Sequence, residues 1–175
     1  IILDEVEHRQ LHHYDCGQDG SYLVDVNGKT LPEAYEAVLA SLRAIAERYQ
    51  TFGGQTVGEL VFPIMAHTLA RAGVIPAPKF LSENFAPVAF AICAGAAIQY
   101  GTPLWIVQDF WSVAPFWAQV GADSLAPGCS PETYRGHLLL VYWLGADSTY
   151  TEALHNLISL RRLSGEEDRL MTEHP

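Results

Sequence analysis

Cysteine, basic charge and long apolar runs are all scarce in this sequence, and each shortage excludes something. The three cysteines, Cys16, Cys93 and Cys129, are an odd number at spacings that match no metal motif, so one disulfide at most could form. Cys93 lies in an apolar helical stretch and reads as core. Only 10 Lys and Arg stand against 20 Asp and Glu, for a net charge of −10. A nucleic-acid partner needs a basic face and an anionic membrane surface attracts one, so neither is expected. The longest apolar run, Ala86 to Ile98, is shorter than the roughly 20 residues of a membrane span and reads as a buried helix. Glycine-rich loops that cradle phosphates or dinucleotides are missing too, and no cofactor is expected.

What is present is a chain of 175 residues, 49% hydrophobic, which suits one globular domain with a sizeable core. It opens on a strand-like Ile1-Ile2-Leu3 without an initiator Met, which suggests a fragment or a processed product. Four helices are predicted from proline near the start and glycine beyond the end. The first runs from Leu31 to Gln50, where Thr30 and Glu33 have capping-box spacing and the apolar positions keep a helical period. The others lie between Pro63 and Gly73, between Pro87 and Gly101, and from Ser130-Pro131-Glu132 to Gly145. A fifth helix is expected over Ala153 to Leu163. Between the helices, Ile1 to Leu3, Thr56 to Leu60, Lys79 to Leu81, Leu104 to Val107 and Ser148 to Thr151 read as strands. Gln10 to Lys29 reads as a loop with a hairpin strand at Ser21 to Val26.

Strands alternating with helices predict an α/β fold with a parallel sheet, in this case a parallel (β/α) barrel. The expected domain covers residues 1–163, with a charged C-terminal tail over 164–175. Each predicted strand is followed by acid: Asp4-Glu5, Glu59, Glu83, Asp109 and Glu152. In a parallel sheet these ends lie on one side, where barrel active sites are built. Helix starts favour acids in any case. Five in succession, however, would crowd like charges around one mouth and drive their pKa values apart, as an acid/base pair requires. The long connection from Phe110 to Cys129 carries Trp111, Phe116 and Trp117, flat apolar faces that could bind a sugar ring or simply pack the loop.

Several runs resemble a known family. They are Phe80-Leu81-Ser82-Glu83-Asn84, then Ala94-Gly95-Ala96-Ala97-Ile98-Gln99-Tyr100-Gly101 with Leu104-Trp105, and then Ser130-Pro131-Glu132 leading to Gly145-Ala146-Asp147 and Glu152. Together they are similar to the (β/α)8-barrel glycoside hydrolases over most of Thr56 to Glu152. The resemblance implies a TIM barrel and a glycosidase whose acid/base and nucleophile are strand-end carboxylates. It departs from the large retaining clan of these enzymes, which places Asn-Glu where this chain has Asp4-Glu5.

A whole barrel takes about 250 residues, so the five strands are expected to be strands 4–8. That numbering makes Glu5, Glu83 and Asp109 the catalytic candidates, with Glu5 as acid/base and Asp109 or Glu83 as its partner. Glu59, Trp111, Trp117 and Glu152 are then candidate substrate contacts. If a strand is instead missing after Glu152, the catalytic pair becomes Glu59 and Glu152. Simple alternation sends Asp4 and Glu5 to opposite faces, with Ile1, Leu3 and Glu5 inward. The expected partner is a carbohydrate, together with the missing part of the barrel or a second copy of the chain. His8, His12, His13, Asp15 and Cys16 form a polar cluster that would suit zinc or manganese but matches no metal motif, so no metal site is expected there. His67 is expected on the sheet side of its helix, and Gly95 at a close helix-to-sheet contact. The rival readings are a metal-dependent hydrolase or lyase and a non-catalytic carbohydrate-binding barrel.

Overall fold

The computed structural model describes residues 1–12, 23–80, 86–109, 131–152, 158–160 and 171–173. Strand and helix alternate through them: β1 (Ile2–Leu3), α1 (Val6–His12), α2 (Leu31–Gln50), β2 (Val57–Leu60), and a 3-10 turn (Pro63–Met65) running into α3 (Ala66–Arg71). Then come β3 (Ile75–Phe80), α4 (Ala86–Tyr100), β4 (Trp105–Asp109), α5 (Pro131–Leu144) and β5 (Ser148–Glu152). Strands β1 to β5 pair in sequence order, and every pairing is parallel. The expected α/β class with a parallel sheet is therefore observed, and the sheet is curled like part of a barrel. Among the described residues, β1 and β5 are its open edges.

The curl follows from where the core sits. On the outer face, Leu3 and Leu60 of the sheet pack with Leu39, Leu42 and Ala46 of α2, Leu69 of α3 and Cys93 of α4. Phe80 and Ile106 pack with Val141 of α5 on the same side. The inner face carries a separate, smaller cluster of Val57, Ile75, Ala77 and Val107, flanked by Trp105 and Tyr150. Alternation thus divides each strand between a helix-packed outside and an apolar inner floor.

Local chemistry explains the helix boundaries. The Glu33 carboxylate accepts the Thr30 amide at 2.8 Å, as the capping-box spacing predicts, and Pro32 fits the first turn. Gly101 and Gly145, just past α4 and α5, take positive φ values of 68° and 72°. No described helix is long and apolar enough to cross a membrane.

Several expectations change. Strand β3 starts earlier than the sequence suggests and includes Pro76 and Pro78. Ile75 donates its amide to Thr56 on the β2 side, so alternation turns positions 76 and 78 toward β4. Proline has no amide to give there, and the β3–β4 pairing covers only Lys79 with Val107 and Phe80 with Gln108. Residues 10–12, expected in the loop, belong to α1, and residues 23–26 of the expected hairpin strand form no strand. Within the expected helix at Ala153 to Leu163, β6 (Ile158–Leu160) is a strand, paired antiparallel with β7 (Met171–Glu173). Helix α4 is only half buried, with Val88, Ile92 and Ile98 exposed. His67 is exposed rather than turned to the sheet, and its ring meets the edge of Tyr100.

The close approach expected at Gly95 occurs at Gly58 instead. A Cβ on Gly95 would meet nothing within 4 Å, whereas one on Gly58 would lie 2.8 Å from Leu69 Cδ1 and 3.2 Å from Val74 Cγ1. Leu69 and Val74 are fully buried and have little room to yield. Gly58→Ala is therefore expected to destabilise the fold by about 1–3 kcal/mol, read as a lower denaturant midpoint at unchanged slope. An unchanged midpoint would show that α3 can move away from β2 freely.

Candidate functional site

The site is built around a residue whose type does not announce it. Lys79 lies on the inner face of β3, at the C-terminal end of the strand, and is 1% exposed. Burying an ammonium costs several kcal/mol unless it is paired, and Lys79 is paired many times over. Its Nζ lies 2.6 Å from Glu152 Oε2, 3.1 Å from Glu5 Oε1, 3.2 Å from Glu59 Oε2, 3.4 Å from Asp109 Oδ2 and 3.8 Å from Asp4 Oδ1. These acids come from the ends of β1, β2, β4 and β5. In a flat sheet β1 and β5 would stand about 19 Å apart. One ammonium can touch acids from both only because the sheet curls.

Asp4 and Glu5 reach the same centre, against the expectation that alternation would separate them. Strand β1 ends at Leu3, and Glu5 takes a φ of +41° in the turn that follows. That conformation is strained for a residue with a Cβ and breaks the alternation. Leu3 itself packs on the outer face, and register places Ile2 beside Val57 of the inner cluster. Helix α1 braces the turn. Arg9 pairs with the Asp4 carboxylate, and its Nε donates to the Asp4 carbonyl at 2.7 Å. His8 Nδ1 stands 3.4 Å from Glu5 Oε2. Glu7, fully buried, accepts the amides of Val61 and Phe62 at 2.5 and 2.8 Å and so fixes the backbone just beyond Glu59.

Crowding separates the protonation states. Burial pushes the Glu59 carboxyl up to about 7, although Lys79 and the Tyr150 hydroxyl, which donates to it, favour the ionised form. Burial also raises Glu152, with Lys79 opposing the rise. For Asp4, burial acts upward, but the Arg9 contact and the charge of Lys79 bring it below its ordinary value. Burial alone would discharge Lys79; the surrounding Glu59, Glu152 and Asp109 reverse this and hold its proton firmly. Burial and the neighbouring Glu59 likewise keep the Tyr150 phenol protonated. The site thus sets a group that carries a proton near neutrality beside anchored, ionised acid, the separation that general acid catalysis uses.

A cation could also be held here. Asp4, Glu59 and Glu152 offer one oxygen each, all within 4.8 Å of one another. The Lys79 ammonium already lies against all three and supplies the positive charge that a metal would bring.

Of the residues expected from sequence, Glu5, Glu59, Asp109 and Glu152 are brought together. Glu83, Trp111 and Trp117 lie outside the described residues, as do Phe116, His13, Asp15, Cys16 and Cys129. Lys79, Tyr150 and Arg9 were not anticipated. The available signal was a lone lysine closing the otherwise uncharged run from Val74 to Leu81, a setting in which a charge is either at the surface or paired. Compared with family models, with curated proteins and with solved structures, the chain matches none.

Proposed function

We propose that this protein is a glycoside hydrolase of the (β/α)-barrel kind, its five strands taken in the second registration, as strands 3–7 of a TIM barrel. The observation that carries the reading is the convergence of five strand-end carboxylates on one inner-face ammonium at the C-terminal end of a parallel sheet. Glycosidic cleavage needs one carboxyl that protonates the leaving oxygen and one carboxylate that attacks the anomeric carbon or activates water. Glu59 suits the first role because it holds its proton near neutrality. Glu152 suits the second because the Lys79 ammonium, 2.6 Å from its oxygen, opposes the rise that burial gives its pKa. Their nearest oxygens lie within 4.8 Å of each other. This pair belongs to the second strand registration. Glu5 and Asp109, the pair of the first, become contacts to sugar hydroxyls.

Aryl glycosides with good and poor leaving groups distinguish the two pairs. A poor leaving group depends most on the acid. Glu59→Gln should therefore lower turnover on poor leaving groups by about 10²–10⁴ and on good ones much less, while Glu5→Gln should lower both alike. A leaving-group-dependent loss in Glu5→Gln, with Glu59→Gln unaffected, would restore Glu5 as the acid. A purified protein that cleaves no glycoside would remove the reading altogether.

A further inference from the structure

Lys79 has no part in the proton transfers above, yet it is the most buried of the charges that meet at the rim. A neutral amine could serve as a nucleophile toward carbonyl compounds. A lysine surrounded by five carboxylates stays an ammonium and cannot play that part. It is also too deep to be a surface ion pair of little consequence: its Nζ has acids from four strands within 4 Å and lies against all five of them.

We infer that Lys79 is the positioning residue of this site, an internal counter-ion that gathers the rim acids to one point and keeps the attacking carboxylate ionised. The inference rests on the hydrolase reading for its catalytic consequence, but not for its electrostatic one. The groups that face the ammonium are Asp4 and Glu5 from the turn after β1, Glu59 from β2, Asp109 from β4 and Glu152 from β5. Behind them stand Tyr150 on Glu59, Arg9 on Asp4 and His8 on Glu5. Arg9 pairs with Asp4. Without Lys79 the rim acids would lose the ammonium that lies within 4 Å of each of them, and their mutual repulsion would rise. Taking up protons would relieve that repulsion.

The direction of the effect follows. Removing the ammonium raises the folded-state pKa values of the rim acids above their unfolded values. The stability tied to those acids is then present at low pH and lost as pH rises through the new, higher values. The test compares wild-type protein with Lys79→Met, which keeps length without charge, and Lys79→Arg, which keeps charge. Carboxyl carbon NMR titration of 13C-labelled protein should show rim midpoints raised by about 1–3 pH units in Lys79→Met, and by less in Lys79→Arg. Unmoved midpoints in a folded Lys79→Met would overturn the inference. If Lys79→Met is unfolded at neutral pH, it should fold at about pH 5, or when Glu59→Gln and Glu152→Gln are added to it. Failure to fold under both conditions would also overturn it. On aryl glycosides, the acid limb of kcat/KM should move up by at least about one pH unit in Lys79→Met and return toward wild type in Lys79→Arg. Shifted midpoints in a protein that cleaves no glycoside would leave the positioning role intact and defeat the hydrolase reading alone.

Discussion

Glu59→Gln is expected to make the protein more stable at mildly alkaline pH while removing the glycosidase activity proposed for it. Glu59 is 3% exposed, and its folded pKa of about 7 stands above the ordinary 4.5. A raised acid contributes stability that is complete below about 4.5 and is lost as pH rises through about 7, because the folded state must then accept a buried negative charge. Gln imitates the protonated form and cannot ionise. At about pH 8 the variant should therefore exceed wild type by roughly 1–3 kcal/mol, and at about pH 4 the two should agree. Denaturant unfolding at a series of pH values reads this directly. Destabilisation by Gln at all pH values would show instead that Lys79 needs the Glu59 charge more than burial opposes it. A gain in stability together with a loss of turnover is the pattern expected where a strained, charged site is kept for function.

Glu7 should matter nearly as much, though it touches no candidate substrate position. Its carboxyl, fully buried, accepts the amides of Val61 and Phe62 and joins α1 to the end of β2. Glu7→Ala leaves both amides without a partner and opens a void, at about 1–3 kcal/mol for each unsatisfied donor that stays out of water. A total loss of about 2–4 kcal/mol is expected. Glu7→Gln keeps an acceptor oxygen and should lose far less. Because burial raises the Glu7 pKa, the neutral amide should compare best with wild type at neutral and higher pH, where the native carboxylate must carry its charge. Equal losses in Ala and Gln would mean that the charge, rather than the acceptor, holds α1 in place. As Val61 follows β2 two residues after Glu59, the Ala variant should also misplace the acid and lower turnover.

Part of this was legible in the sequence. Helices α2, α4 and α5 carry their own punctuation, so their positions follow from Thr30, Glu33 and Pro32 at one end and from Gly101 and Gly145 at the others. The acids after the strands were legible for a similar reason: parallel topology sends every strand end to one side, whatever the exact register. Other features depend on information that local pattern does not hold. Prolines ordinarily argue against a central strand, so Pro76 and Pro78 hid the start of β3 and displaced the reading toward Leu81. The convergence of Asp4 with Glu5 hangs on a single positive φ, which a Glu gives no reason to expect. Helix α1 has a polar, His-rich composition that resembles a loop, and its buried Glu7 is explained only by amides 54 and 55 residues away. Lys79 illustrates the same limit. A lysine at a strand end reads as solvated until a sheet curls four other strand ends around it.

The measurement that bears most directly on the account is the pH dependence of kcat/KM on an aryl glycoside with a poor leaving group, in wild type and Glu59→Gln. Hydrolysis by a proton held on Glu59 predicts a bell-shaped wild-type profile whose alkaline limb falls at about 7, and a much lower Glu59→Gln profile from which that limb has gone. An alkaline limb that persists unchanged in Glu59→Gln, or a wild-type protein with no glycosidase activity at any pH, would contradict it.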